Sequence, residues 1–234
     1  MTKGPGNGLT QAAIAVDLVI VTVMDADLKV YLTRRQEQPF QGLWALPGDF
    51  VRAGPRGSLG EDLTAAVSRA FSHTTQTRAS AAPLQQLATF GRARRDPRGR
   101  TISTSWLAPL SPDVAALIAA SHDDAKAGWF SCSEEVPWMR LSFDHADILE
   151  AALARIQQDV EHTDLAFALA PKVFTVSELR LVHEAVNGQP QDGRNFRRRF
   201  QRLVEDGRVE EAPGRRHLGR ARPAKVWRKR TQPD

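Results

Sequence analysis

The spacing of apolar residues along this chain changes period several times, and each change marks an element. Ala13 to Met24 (AIAVDLVIVTVM) is an almost unbroken β-branched apolar run, interrupted by Asp17, and predicts a buried strand. Asp25-Ala26-Asp27 reads as a turn and Lys29 to Arg34 as the hairpin partner. Gln36 to Gly42 is polar loop, and Leu43 to Val51 is a short strand bent at Pro47-Gly48. After a Gly/Pro/Arg-rich loop, 54–60, the period lengthens. Leu63, Ala66, Val67, Ala70 and Phe71 fall on one face of an α-helix. Ser72 to Ala82 reads as polar linker. Strands follow at 84–90 and 101–107 around the loop RARRDPRGR, then a short helix at 113–121 and a strand at 129–132. Ile148, Ala151, Ala152 and Ile156 set the register of a helix over 144–162.

The pattern therefore describes a strand-rich mixed α+β domain over 1–162, a connection at 163–171 and a second segment over 172–234. That segment opens with FTVSELRLVHEAVNG. Thr175 and Glu178 have the spacing of a capping box, and Gly188 suits the residue that ends the helix. Asp192 can cap a second helix over Gly193 to Glu205. Its apolar side is Phe196, Phe200, Leu203 and Val204. Arg194, Arg198, Gln201 and Arg202 project oppositely, flanked by Asn195, Arg197 and Arg199. RVEEAPGRR and ARPAKVWRKR then read as two strands around a basic loop, a wing carrying Arg215, Arg216, Arg220 and Arg222.

Charge sharpens this division. The 234 residues carry a formal net charge of +5, but sixteen Lys/Arg and eight Asp/Glu lie from Lys172 onward. The basicity is concentrated in the last quarter, which points to a polyanion partner. An apolar keel under a rail of Arg, Asn and Gln suits the major groove of duplex DNA, where Arg reads guanine and Asn or Gln reads adenine. Single-strand recognition lacks its usual aromatic platform, because the only Trp in the basic segment is Trp227. The single cysteine, Cys132, allows no internal disulfide. The first ten residues have no apolar run of the secretory kind, and no stretch is long enough to span a bilayer. A cytoplasmic protein is expected.

LWALPGDFV followed by the amphipathic helix resembles the Nudix fold, whose signature is G-x5-E-x7-R-E-U-x-E-E-x-G-U. Glu61 matches the first glutamate, Arg69 the arginine and Phe71 the bulky position. Ala70, His73 and Thr74 stand where metal-binding glutamates belong. Gln76 replaces the glycine, Thr77 stands at the final bulky position, and Asp49 stands at the first glycine, separated from Glu61 by eleven residues where the signature has five. Nudix hydrolysis uses Mg²⁺ or Mn²⁺ held by several carboxylate oxygens. Ala70 has no oxygen and His73 is a poor ligand for a hard cation. The expectation is a retained scaffold without the hydrolase chemistry and without a bound cofactor.

A degenerate Nudix domain followed by a basic winged helix resembles the Nudix-related transcriptional regulators of NAD metabolism, NrtR. TFGRARRDPRGRTIS, FDHADIL, NFRRRF and GRARPAKVWR add to the likeness. It implies a homodimer that senses ADP-ribose or a related NAD metabolite and represses NAD-biosynthesis genes from operator DNA. Without a metal, a diphosphate needs cationic or N–H donors. Arg34, Arg35, Arg95 and Arg98 are the candidates, with Trp44 able to stack on a base. The alternative is an active Nudix pyrophosphohydrolase with a nucleic-acid-binding appendage, and a third class is an RNA-binding accessory protein.

Overall fold

In the computed structural model, residues 12–54, 59–121, 123, 125–216 and 223–230 are described. The N-terminal part runs β1 (Ala13–Met24), β2 (Asp27–Arg34), β3 (Trp44–Ala45), β4 (Gly48–Phe50), α1 (Leu63–Thr75), β5 (Gln85–Phe90), β6 (Thr101–Leu110), α2 (Pro112–Ala120), β7 (Ala127–Ser131) and α3 (His145–Asp159). These strands form one seven-stranded mixed sheet. Its main path is β3-β2-β1-β6-β5, with β4 added to β1 and β7 to β2. β1 runs parallel to β6 and antiparallel to β2 and β4.

Successive side chains of β1 point to opposite faces. Val16, Leu18 and Ile20 pack with Tyr31, Ala66, Val67, Ala70 and Phe71 under α1. Val19, Val21 and Val23 pack with Leu28, Ile148 and Ile156 under α3. Only a strand covered on both faces buries so continuous an apolar run. Each such side chain, fully enclosed, contributes roughly 1.5–3 kcal/mol of transfer free energy. Gly48 lies opposite Asp17 where β4 pairs with β1. A Cβ there would stand 2.5 Å from the Val16 carbonyl oxygen and 2.7 Å from a carboxylate oxygen of Asp17.

The C-terminal part contains α4 (Leu165–Leu169), α5 (Val176–Asn187), α6 (Gly193–Glu205), β8 (Val209–Arg216) and β9 (Ala224–Lys229). The capping box at Thr175 and Glu178 is formed, Gly188 is left-handed at φ 64°, and the Asp192 carboxylate accepts the Asn195 amide. β8 and β9 make the antiparallel wing. Phe174 exchanges two backbone hydrogen bonds with Trp227 of β9, and Trp227 packs edge-on against Phe200. The apolar cluster under α3 continues through Leu165 and Leu169 to Leu179, Val182, Phe196 and Phe200.

Three expectations differ from the structure. α1 runs on to Thr75, which is buried and donates its hydroxyl to the Phe71 carbonyl at 2.8 Å; a polar residue that satisfies itself on its own helix hides a helical turn from a hydropathy reading. The strand expected over 43–51 is split into β3 and β4, with Pro47 between them. Pro47 has no N–H to give a ladder but accepts from the Leu18 amide at 2.7 Å. The stretch expected as a connection, 163–171, includes α4, whose Leu165, Ala166 and Leu169 are buried. Five residues are too few to display a helical period.

Candidate functional site

A cleft of about 210 Å³ opens where β1 and β4 meet the loops around 35–37 and 95–98 and the start of α3. Its floor is a buried charge cluster. Arg95, 4 % exposed, donates to Asp17 at 3.0 Å and to both oxygens of Asp144 at 2.6 and 2.9 Å. Asp17 also accepts the Ser103 hydroxyl at 2.6 Å. His145 Nδ1 accepts the Leu46 amide at 2.9 Å, which leaves its proton on Nε2, 3.6 Å from Asp17. Burial pushes the His145 pKa below the usual imidazole range. The polar break in the apolar run of β1 is thus the residue that anchors the cleft floor.

The upper walls are cationic and aromatic. Arg98 binds Asp96 in a forked contact, at 3.0 Å through Nε and 2.7 Å through Nη2. Its guanidinium carbon stands 5.2 Å from the Phe50 ring and 5.5 Å from the Phe143 ring. Arg35 lies 4.7 Å over Phe143 and gives its Nε–H to the Pro39 carbonyl at 2.7 Å. Of the five candidates for ligand contact, Arg35, Arg95 and Arg98 line this cleft. Arg95 is already matched by two carboxylates. Arg34 instead donates to the Gly42 carbonyl at 2.9 Å. Trp44 packs edge-on against Phe130 with its ring 4.6 Å away, among the apolar residues under α3. The rings that do face the cleft, Phe50 and Phe143, were not among the sequence candidates. Apolar periodicity says nothing about an aromatic residue in a loop or on a three-residue strand.

The retained part of the Nudix signature forms a closed ion cluster. Arg69 binds Asp49 through Nη1 and Glu61 through Nε and Nη2, and its Nη2 also donates to the Phe50 carbonyl at 3.0 Å. Glu61 accepts the Arg52 amide at 2.7 Å. The Arg69 hydrogen bond is the largest cause holding the Glu61 carboxyl down at about 2. The cluster ties α1 to β4. It does not fit a divalent cation, because both carboxylates are committed to Arg69. Ala70 is buried against the sheet and His73 is exposed with no acid beside it in the signature. Among the described residues there is no group of three His, Cys, Asp or Glu side chains placed to hold a metal ion.

On α6, Phe196 and Phe200 are buried and Arg194, Asn195, Arg197, Arg198, Gln201 and Arg202 are exposed. Among the described residues, Arg194, Arg197, Arg198 and Arg202 have no ion-pair partner. Arg199 differs from the expected exposed rail. It pairs with Glu161, just past α3, and stands 4.7 Å over Phe196 of its own helix. Arg216 likewise pairs with Glu178 at 2.5 Å and donates to the Val173 carbonyl. Arg215 stays exposed beside Glu211 at 3.1 Å. Arg220 and Arg222 lie outside the described residues.

Sequence reading also missed the junction between the two parts. Glu161 meets His183 at 3.0 Å, Asn187 at 3.0 Å, Gln191 at 3.4 Å and Arg199. Asp164 holds Arg208 at 2.7 Å and Lys229 at 2.8 Å. These two acids sit on either side of the turn before α4, so they pin both helices and the wing strands to the end of α3.

The fold and the exposed arginine helix define a class of protein: a Nudix domain, matched over residues 14–152, joined to an NrtR DNA-binding winged helix domain, matched over 166–228. The chain belongs to the NrtR family of Nudix-related proteins. It is 30 % identical over 92 % of its length, and 81 % of the relative's, to the ADPR responsive transcriptional repressor NtrR of Acinetobacter baylyi. It resembles the crystal structure of Shewanella oneidensis NrtR complexed with a 27mer DNA, with a TM-score of 0.76 and 30 % identity over 93 % of each chain. The Nudix domain of that Shewanella protein in complex with ADP ribose matches at a TM-score of 0.50 and 27 % identity, over 65 % of this chain and 94 % of the domain. No described helix is long and apolar enough to cross a membrane.

Proposed function

We propose that this chain is a transcriptional repressor that binds operator DNA through α6 and the wing and answers to ADP-ribose, or a related NAD metabolite, held in the N-terminal cleft. The observation that carries the reading is the split of α6. Its two phenylalanines are enclosed, while four arginines, Asn195 and Gln201 face solvent, the arginines without ion-pair partners among the described residues. Cations left unneutralised on one helix face are what a phosphate backbone and guanine edges recruit. The DNA contacts in this reading are Arg194, Asn195, Arg197, Arg198, Gln201 and Arg202, with Arg215 from the wing. The relative's name and the two Shewanella complexes support both partners.

The domain division is functional in this reading: 1–162 senses and dimerises, 163–171 connects, and 172–234 binds DNA. The protein acts as a homodimer in the cytoplasm, on operators of NAD-biosynthesis genes. It does not hydrolyse its ligand, because Ala70, His73 and Thr74 give no carboxylate oxygens and Arg69 occupies those of Asp49 and Glu61. The test is an anisotropy titration of operator duplexes, obtained by selection from random DNA, with and without ADP-ribose. Sequence-selective binding that ADP-ribose weakens is the expected result. Binding with no sequence preference at physiological salt would overturn the reading.

A further inference from the structure

Phe143 and Phe40 share a feature that sets them apart from the other aromatic residues. Both have left-handed backbones, at φ 53° and 64°, and their rings meet edge to face at 4.9 Å. Such a conformation is uncommon for a bulky residue and persists where the surroundings hold it for a purpose. Here it sets the Phe143 ring at the cleft with a cation against it. On the other side Phe50, 39 % exposed, is held from behind by the Arg69 contact to its carbonyl. The Arg98 guanidinium lies within stacking reach of both rings. A guanidinium is planar and delocalised, and the surface that attracts it is the surface a nucleobase stacks on. The open space, about 210 Å³, is below the roughly 300–1,000 Å³ of sites that enclose a ligand of nucleotide size.

We propose that Phe50 and Phe143 form a slot for a nucleobase that Arg98 fills in the free protein, and that a nucleoside diphosphate enters by displacing Arg98 from the rings. This rests on the reading of the cleft as the metabolite site and names the part of the ligand it grips. Base stacking replaces a half-exposed cation–π contact. Arg35 is the second anchor. Its hydrogen bonds go to the carbonyls of Pro39 and Glu37, and it has no carboxylate within ion-pair distance among the described residues. Burial, then the neighbouring Arg98, lowers its pKa. Two cations this close, one without a paired acid, favour a ligand that brings two negative charges next to its base. A sugar phosphate without a base would meet the arginines but leave the rings to Arg98.

Calorimetric titration of the full-length chain with ADP-ribose, ADP and ribose 5-phosphate separates these possibilities. Wild type is expected to bind ADP at least about tenfold tighter than ribose 5-phosphate, which lacks both the base and the second phosphate, and the ring variants isolate the share of the base. Phe143→Asn keeps a residue that tolerates the left-handed backbone but removes the ring. It should lower ADP and ADP-ribose affinity by about tenfold or more and leave ribose 5-phosphate unchanged. Phe50→Leu, on the exposed strand β4, should act the same way and serves if the first variant does not fold. Arg98→Ala should raise the affinity for adenosine, which has no phosphate to lose. If ADP binds through Phe143 but ADP-ribose does not bind, the slot stands and the proposed effector falls. Equal affinities for ADP and ribose 5-phosphate, ring variants that bind ADP like wild type, or no ADP binding at all would overturn the slot.

Discussion

Arg198 and Arg202 stand one turn apart on α6, exposed and without ion-pair partners among the described residues. Arg199, between them in sequence, is spent on Glu161. Arg198 and Arg202 thus differ in role from Arg199. Arg198→Ala and Arg202→Ala should each weaken operator binding by roughly 1–3 kcal/mol, read by anisotropy, with little change in the urea midpoint. Arg199→Ala should lower the urea midpoint, because it strips a partly buried carboxylate of its cation. At the same scale, His145 and His183 are held neutral, first by burial, so their folded pKa values lie below the ordinary 6.5. Below that value the unfolded chain takes up protons that the folded chain refuses. The stability these groups contribute is complete above about pH 6.5 and is lost as pH falls, by at most about 1.4 kcal/mol per pH unit for each. Urea midpoints measured from pH 8 to 5 should show that decline, and His145→Gln should flatten it.

Among the elements, α1 and the turn at Glu161 have been given different tasks. α1 packs its apolar face on the sheet, and its Arg69 joins Asp49 and Glu61 in one ion cluster that holds β4. Purified protein with Mg²⁺ should therefore turn over ADP-ribose negligibly; product release at about 1 s⁻¹ or faster, an ordinary enzyme rate, would show that metal ligands come from elsewhere. Glu161→Ala removes the acceptor shared by His183, Asn187 and Arg199 and should cost about 1–3 kcal/mol in urea denaturation. The two elements also differ in how far the sequence revealed them. The apolar face of α1, the capping box at Thr175 and the Asp192 cap were readable, because each depends on residues within one or two turns of each other. The Glu161 junction joins residues 22 to 38 positions apart, and the cleft floor joins Asp17, Arg95 and Asp144. No local pattern records which acid meets which arginine across such distances. The same limit explains why the sequence offers Trp44 as a stacking residue and assigns no such role to Phe143.

Across the whole molecule, α3 joins the cleft floor to α6. Asp144 binds Arg95 in the cleft at the N-terminal end of α3, and Glu161, just past its other end, holds Arg199 of α6. A ligand that alters the cleft can change DNA affinity only if it favours one arrangement of this connection over another. In a dimer, a small tilt of α3 would change the separation of the two α6 helices and spoil their match to paired half-sites, which lie about one helical turn or a multiple apart. ADP-ribose is thus expected to lower operator affinity by about 1–3 kcal/mol, and by linkage operator DNA must weaken ADP-ribose binding by the same factor. The direct test is the affinity for ADP-ribose measured by calorimetry on the free protein and on the protein saturated with operator. Weaker binding is expected on DNA, by the factor with which ADP-ribose weakens the operator complex. Equal affinities, or tighter binding on DNA, would contradict it.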